Sequence, residues 1–95
     1  MAAYWVAHVT VTDEARYGEY AKRAGPAIAK YGGEFLARGG RVVGLEGMTR
    51  ERNVVTRFES VEAAEACYNS PEYQEALSYA VGASERELMI IDGIE

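Results

Sequence analysis

The sequence predicts an α+β fold in the order β-α-β-β-α-β, an antiparallel sheet with its helices on one face. Three observations predict it. β-rich runs open and close the chain, "YWVAHVTV" at 4–11 and "ELMIIDG" at 87–93, and a third, "NVVTRF", lies at 53–58. Tyr17, Tyr20, Ala21, Ala24, Ile28 and Tyr31 recur at spacings of three and four, which is one buried helix stripe. Ser70-Pro71 then marks a helix start in the second half, with serine at the cap and proline at the first helical position. Ninety-five residues build only one core, so a single domain over 1–95 is expected.

Each element has its own local cause. Thr12 or Asp13 caps the first helix, and Asp13 and Glu14 suit its positive end. Pro26 lacks an amide hydrogen, so a kink or break is expected at Gly25-Pro26. Gly32-Gly33 stop that helix. "EFLAR" at 34–38 reads as the second strand; Gly39-Gly40 bend it, and "RVVGLE" at 41–46 is expected to resume extended structure. A polar loop leads to the third strand, Ser60 caps a short helix, Ser70 caps another that ends near Gly82, and the fourth strand follows. This is the ferredoxin-like arrangement, which places the first strand between the third and fourth.

Residues 27–47 spend six glycines on twenty-one positions. No GxGxxG follows a strand and no lysine-serine pair follows a glycine loop, so helix stops and strand bends account for them better than a phosphate cradle. Composition removes other classes. A net charge of −5 with scattered cations argues against nucleic acid as a partner. Apolar runs are too short for a membrane span, and the N-terminus alternates like a strand rather than a signal peptide, so a cytoplasmic location is expected. One cysteine, Cys67, cannot make an intrachain disulfide, and with a single histidine a Cys/His metal site within one chain is excluded.

Helices on one face leave the other to be covered. Alternation assigns Trp5, Ala7, Val9 and Val11, with Val54, Thr56 and Phe58, beneath the helices. Tyr4, Val6, His8 and Thr10, with Asn53, Val55 and Arg57, then face the other way. That second face is too apolar for plain solvent and suits a second copy packed against it, a homodimer with a partly polar interior.

The stretches "YWVAHVTVTD", "YAKRAGPAIAKYGGEFLARGG", "LEG" and "EAAEACYNSPEYQ" carry a resemblance. With Gly25-Pro26, Tyr31-Gly32-Gly33, Arg38-Gly39-Gly40 and Ser70-Pro71-Glu72-Tyr73, the chain resembles the domain of unknown function 1330 family of the dimeric α/β-barrel superfamily, from Tyr4 to Gly93. The resemblance implies a ferredoxin-like fold paired face to face as a homodimer. It implies no activity; in the wider superfamily the fold also serves cofactor-independent monooxygenases, lactone isomerases, haem enzymes and effector-binding domains. The family often has an acid where Arg57 stands and an arginine near Ala80, and neither is present here.

Four residues are candidates for chemistry. His8, the only histidine, could take a proton from an enolisable or phenolic substrate, or be a hydrogen-bonded interface group. Arg57 could hold a substrate carboxylate or enolate, or pair with a nearby acid. Arg38 could meet an anionic ligand at a pocket mouth, or pin the bend at Gly39-Gly40. Tyr17 could line a cavity between helix and sheet, although its stripe is a core pattern. Cys67 reads as packing. The expected function is a small-molecule-binding dimer, acting without a bound cofactor as an isomerase or monooxygenase. The alternatives are a non-catalytic ligand sensor and a protein-interaction dimer. A cavity of about 300 Å³ or more beside His8 favours a small-molecule ligand.

Overall fold

The structure is a computed structural model describing residues 1–95. Strand β1 (Ala3–Val11) runs into helix α1 (Glu14–Lys30), followed by β2 (Glu34–Arg38), β3 (Arg52–Phe58), α2 (Val61–Tyr68), α3 (Pro71–Ala80) and β4 (Ser84–Asp92). All pairings are antiparallel and the sheet order is β2-β3-β1-β4, so β1 is central as expected. Each cap predicted for α1, α2 and α3 forms. Asp13 accepts from the Arg16 amide, Ser60 from Ala63 and Ser70 from Tyr73.

Alternation is obeyed on both sides of the sheet. Ala3, Trp5, Ala7 and Val9 are buried beneath the helices, as are Thr56 and Phe58, while Tyr4, Val6, His8 and Thr10 are only half-buried on the opposite face. Register carries the same parity into β4, where Glu85, Glu87, Met89 and Ile91 stand opposite Thr10, His8, Val6 and Tyr4. The core is aromatic. Trp5 stacks on Phe58 at 5.5 Å between ring centroids and meets the edge of Tyr73 at 5.0 Å.

Two local expectations are corrected. Helix α1 passes through Pro26 without a break. Pro26 is exposed, and the burial of Ala24, Ala27 and Ile28 around it outweighs the lost hydrogen bond. Residues 41–46 do not resume a strand; the whole segment from Gly40 to Glu51 lacks regular structure. β2 is the sheet's edge and has no further strand to offer, so Val43 and Leu45 stay exposed.

The glycine stop of α1 is built as anticipated. Gly32 takes a φ of +86°, its amide bonds Ala29 and the Gly33 amide bonds Ile28, which satisfies two terminal carbonyls at once. Gly39, at φ +67°, ends β2 and bonds the Asn53 carbonyl.

Candidate functional site

The sheet divides the four candidate residues into two groups. His8 and Arg57 lie on the open face; Arg38 and Tyr17 lie on the helix face.

On the open face, His8 sits in mid-β1, opposite Asn53 and Glu87. Its Nδ1 is 2.6 Å from Asn53 Oδ1, while Asn53 Nδ2 donates to the Arg50 carbonyl at 2.9 Å. A carbonyl only accepts, so it fixes the amide's orientation and turns Oδ1 toward the ring. The neutral imidazole therefore carries its hydrogen on Nδ1 and keeps the Nε2 lone pair. No protein group bonds Nε2. His8, Asn53, Arg50 and Glu87 line an open cavity of about 520 Å³, walled on its other side by Val42 to Thr49.

Arg50, not singled out by the sequence, anchors that wall. It donates to both Glu87 oxygens at 2.7 and 2.9 Å and to Thr10 Oγ1 at 2.7 Å. The hydrogen bond from Arg50 holds the Glu87 carboxyl below its usual range. Arg57 stands elsewhere. Its register partner on β1 is Tyr4, four residues and about 13 Å along the strand from His8. Its Nε lies 3.6 Å from Glu95 Oε1, a different acid from those near it in sequence. His8 and Arg57 do not share a cavity.

On the helix face, Tyr17 and Arg38 line a small chamber between α1 and the sheet together with Tyr20, Arg52, Thr56 and Arg86. Arg86 Nη2 donates to Tyr20 Oη at 3.0 Å and Tyr73 Oη at 3.2 Å, and those two hydroxyls are 2.8 Å apart. Burial pushes the phenols of Tyr17, Tyr20 and Tyr73 up, so all three stay protonated at neutral pH. Arg38 lies over the Phe35 ring, 4.2 Å from its centroid. From sequence, Thr56 is placed beneath the helices without a role, and Arg52, Arg86 and Tyr73 are given none. Arg52 and Arg86 lie one residue before the strands read at 53–58 and 87–93, and they gain a parity only with the true bounds of β3 and β4.

An antiparallel four-stranded sheet with helices on one face and a half-apolar open face defines a ferredoxin-like α+β protein. Residues 2–94 match the model of the domain of unknown function 1330 family, and the chain belongs to that family. Solved structures agree on the fold. A protein of unknown function from Rhodopseudomonas palustris aligns over 99% of this chain and 83% of its own, with TM-score 0.76 and 16% identity. A cofactor-independent oxygenase, SnoaB from Streptomyces nogalater, aligns over 99% and 94%, with TM-score 0.70 and 13% identity. A dimeric ferredoxin-like protein of unknown function from Bacteroides fragilis aligns over 97% and 96%, with TM-score 0.66 and 11% identity. No curated protein sequence matches the chain. No helix is long and apolar enough to cross a membrane.

Proposed function

We propose that the chain is a cytoplasmic homodimer, its open sheet faces packed together, that binds a small metabolite beside His8. His8 then acts as the proton acceptor of a reaction needing no bound cofactor. The observation that carries this reading is the His8–Asn53 pair, which leaves Nε2 without a protein partner on a residue that lines a cavity of about 520 Å³. Proton transfer to Nε2 from an enolisable carbon or a phenol leaves an enolate or phenolate. Return of the proton to a different carbon completes an isomerisation; attack of the carbanion on dioxygen begins a monooxygenation.

The homodimer rests on the surface that needs covering. Met89 and Ile91 are 47% and 48% exposed beside Val6 and Val55, and Leu45 and Met48 of the adjoining loop are 88% and 86% exposed. A second copy of the same face is the self-complementary occupant for such a patch. Dimeric relatives of the same fold support that arrangement.

The test is a thermal-shift screen of the purified protein against small lactones, phenols and enolisable acids, run beside His8→Gln. A ligand at a hundred times its dissociation constant adds about 2.7 kcal/mol of stability, which raises Tm by several degrees in a domain this size. The expected result is a hit lost in a His8→Gln protein of unchanged melting temperature, followed by turnover of that hit. A hit kept in the variant, or no hit with a monomeric mass by light scattering, overturns the reading.

A further inference from the structure

The chain carries 15 acidic residues against 10 lysines and arginines, so an arginine here should find a carboxylate easily. Arg38, Arg52 and Arg86 do not. Every ion pair in the structure involves other cations, and these three arginines converge on the one chamber between α1 and the sheet. Register explains the convergence. Val9, in the central strand, is flanked by Arg52 on one side and Arg86 on the other, so the two stand at one level, about 10 Å apart at their backbones. Both are at helix-face parity; the Arg52 guanidinium lies beside Gly39 and below Tyr17, and the Arg86 guanidinium lies over the Tyr20 ring.

Two like charges that line one partly buried space repel unless something negative lies between them. Unused hydrogen-bonding capacity marks the same place. The buried polar side-chain atoms without a partner are Arg52 Nε, Arg86 Nε and Thr56 Oγ1, and all three residues line the chamber. Thr56 is wholly buried.

We propose that this chamber binds the carboxylate of a small monocarboxylate, held between Arg86 and Arg52. The space is small: its accessible volume is about 30 Å³, and a water-sized group needs roughly 10–15 Å³, which is room for a group the size of a carboxylate. The apolar body has a place as well. Tyr17, Ala21 and Arg52 also line an open groove of about 250 Å³ along α1, floored at Gly18, where no side chain stands. Trp5, Ala24 and Ile28 make the rest of the inner wall apolar, which suits the hydrocarbon part of such a ligand. This site lies across the sheet from His8 and does not depend on any role for that residue.

The experiment uses Trp5, the only tryptophan, which lines the chamber and reports its occupancy by fluorescence. The full-length protein is titrated with butyrate and benzoate, and with benzamide and inorganic phosphate as controls, in chloride-free buffer at constant ionic strength. Both carboxylates are expected to bind saturably, with phosphate and the neutral amide at least tenfold weaker. Arg86→Gln and Arg52→Gln are each expected to lose at least tenfold in affinity, and Ala21→Leu to block benzoate more than butyrate. His8→Ala should leave all four titrations unchanged, which separates this site from the reaction proposed above. Should Arg86→Gln fail to fold, Arg52→Gln and Ala21→Leu carry the test. Equal binding of benzamide and benzoate, binding of phosphate alone, or full affinity in a folded Arg52→Gln protein overturns the proposal.

Discussion

Asn53→Leu tests the tautomer argument at His8 directly. The substitution keeps the size of the side chain and removes the one acceptor 2.6 Å from Nδ1. A net hydrogen bond of this kind is worth about 0.5–1.5 kcal/mol, and both partners are only half-buried, so about 1 kcal/mol is the working figure. At 25 °C that is about a fivefold change in the ratio of the two neutral tautomers. The chain has one histidine, so a long-range ¹H–¹⁵N correlation spectrum at high pH holds one pair of ring nitrogens and no overlap. The wild-type spectrum should show a protonated Nδ1 and an unprotonated Nε2. Asn53→Leu should move the two nitrogen shifts toward each other or exchange them, while the backbone amides of β1 stay in place. A wild-type ring protonated mainly on Nε2 refutes the reasoning, because the base would then point at Asn53 and not at the cavity. Identical ring shifts in wild type and variant would refute it equally, since Asn53 would hold nothing.

Three further outcomes follow from the packing. Gly33→Ala places a methyl against Ile28 and 2.8 Å from Phe58 Cζ; overpacking of this kind costs about 1–3 kcal/mol, readable as a lower denaturant midpoint at unchanged slope. Cys67 is wholly buried, and burial pushes its thiol up to about 11, so a thiol reagent at pH 8 should label it only as fast as the protein opens, and faster in Gly33→Ala. Glu72 ties α3 to α1 through Lys30 and Tyr31, and the Lys30 hydrogen bond holds its carboxyl below 4.5. A depressed carboxylate stabilises the fold above its unfolded pKa and loses that contribution as pH falls through the folded value. Glu72→Gln should therefore lower Tm slightly at pH 7 and flatten its dependence on pH below about 4.5, so that variant and wild type converge in acid.

The elements were legible wherever one local cause acts alone. Period-two alternation in β1 and β3 separates two faces because each strand is buried on one side only, and the three helix caps depend on single side chains. Pro26 and the 41–46 segment were misread because the deciding contacts are tertiary. A helix anchored by Ala24, Ala27 and Ile28 tolerates a proline on its exposed side, and an apolar run beyond an edge strand has nothing in its own chain to pair with. His8 could be placed on its face but not given a tautomer, since that depends on Asn53 and, through it, on the Arg50 carbonyl.

The arginines are the instructive omission: strands read as 53–58 and 87–93 stop one residue short of Arg52 and Arg86, which the structure places inside β3 and β4. Once β1 is central, Arg52 and Arg86 fall opposite Val9 from both sides, and their parity puts each on the face that Trp5, Ala7 and Val9 assign to the core. Read singly, an arginine at a core position is easily dismissed, since its long stem can carry the charge outward to water. Read as a register triple, two arginines facing the same interior contradict the burial pattern twice at one level, and no acid at that level offsets them. Local rules that fail together at one point mark a place where stability has been given up for another purpose. Parity violations compared across strands, and not along one strand, locate the chamber once the strand bounds, order and register are known.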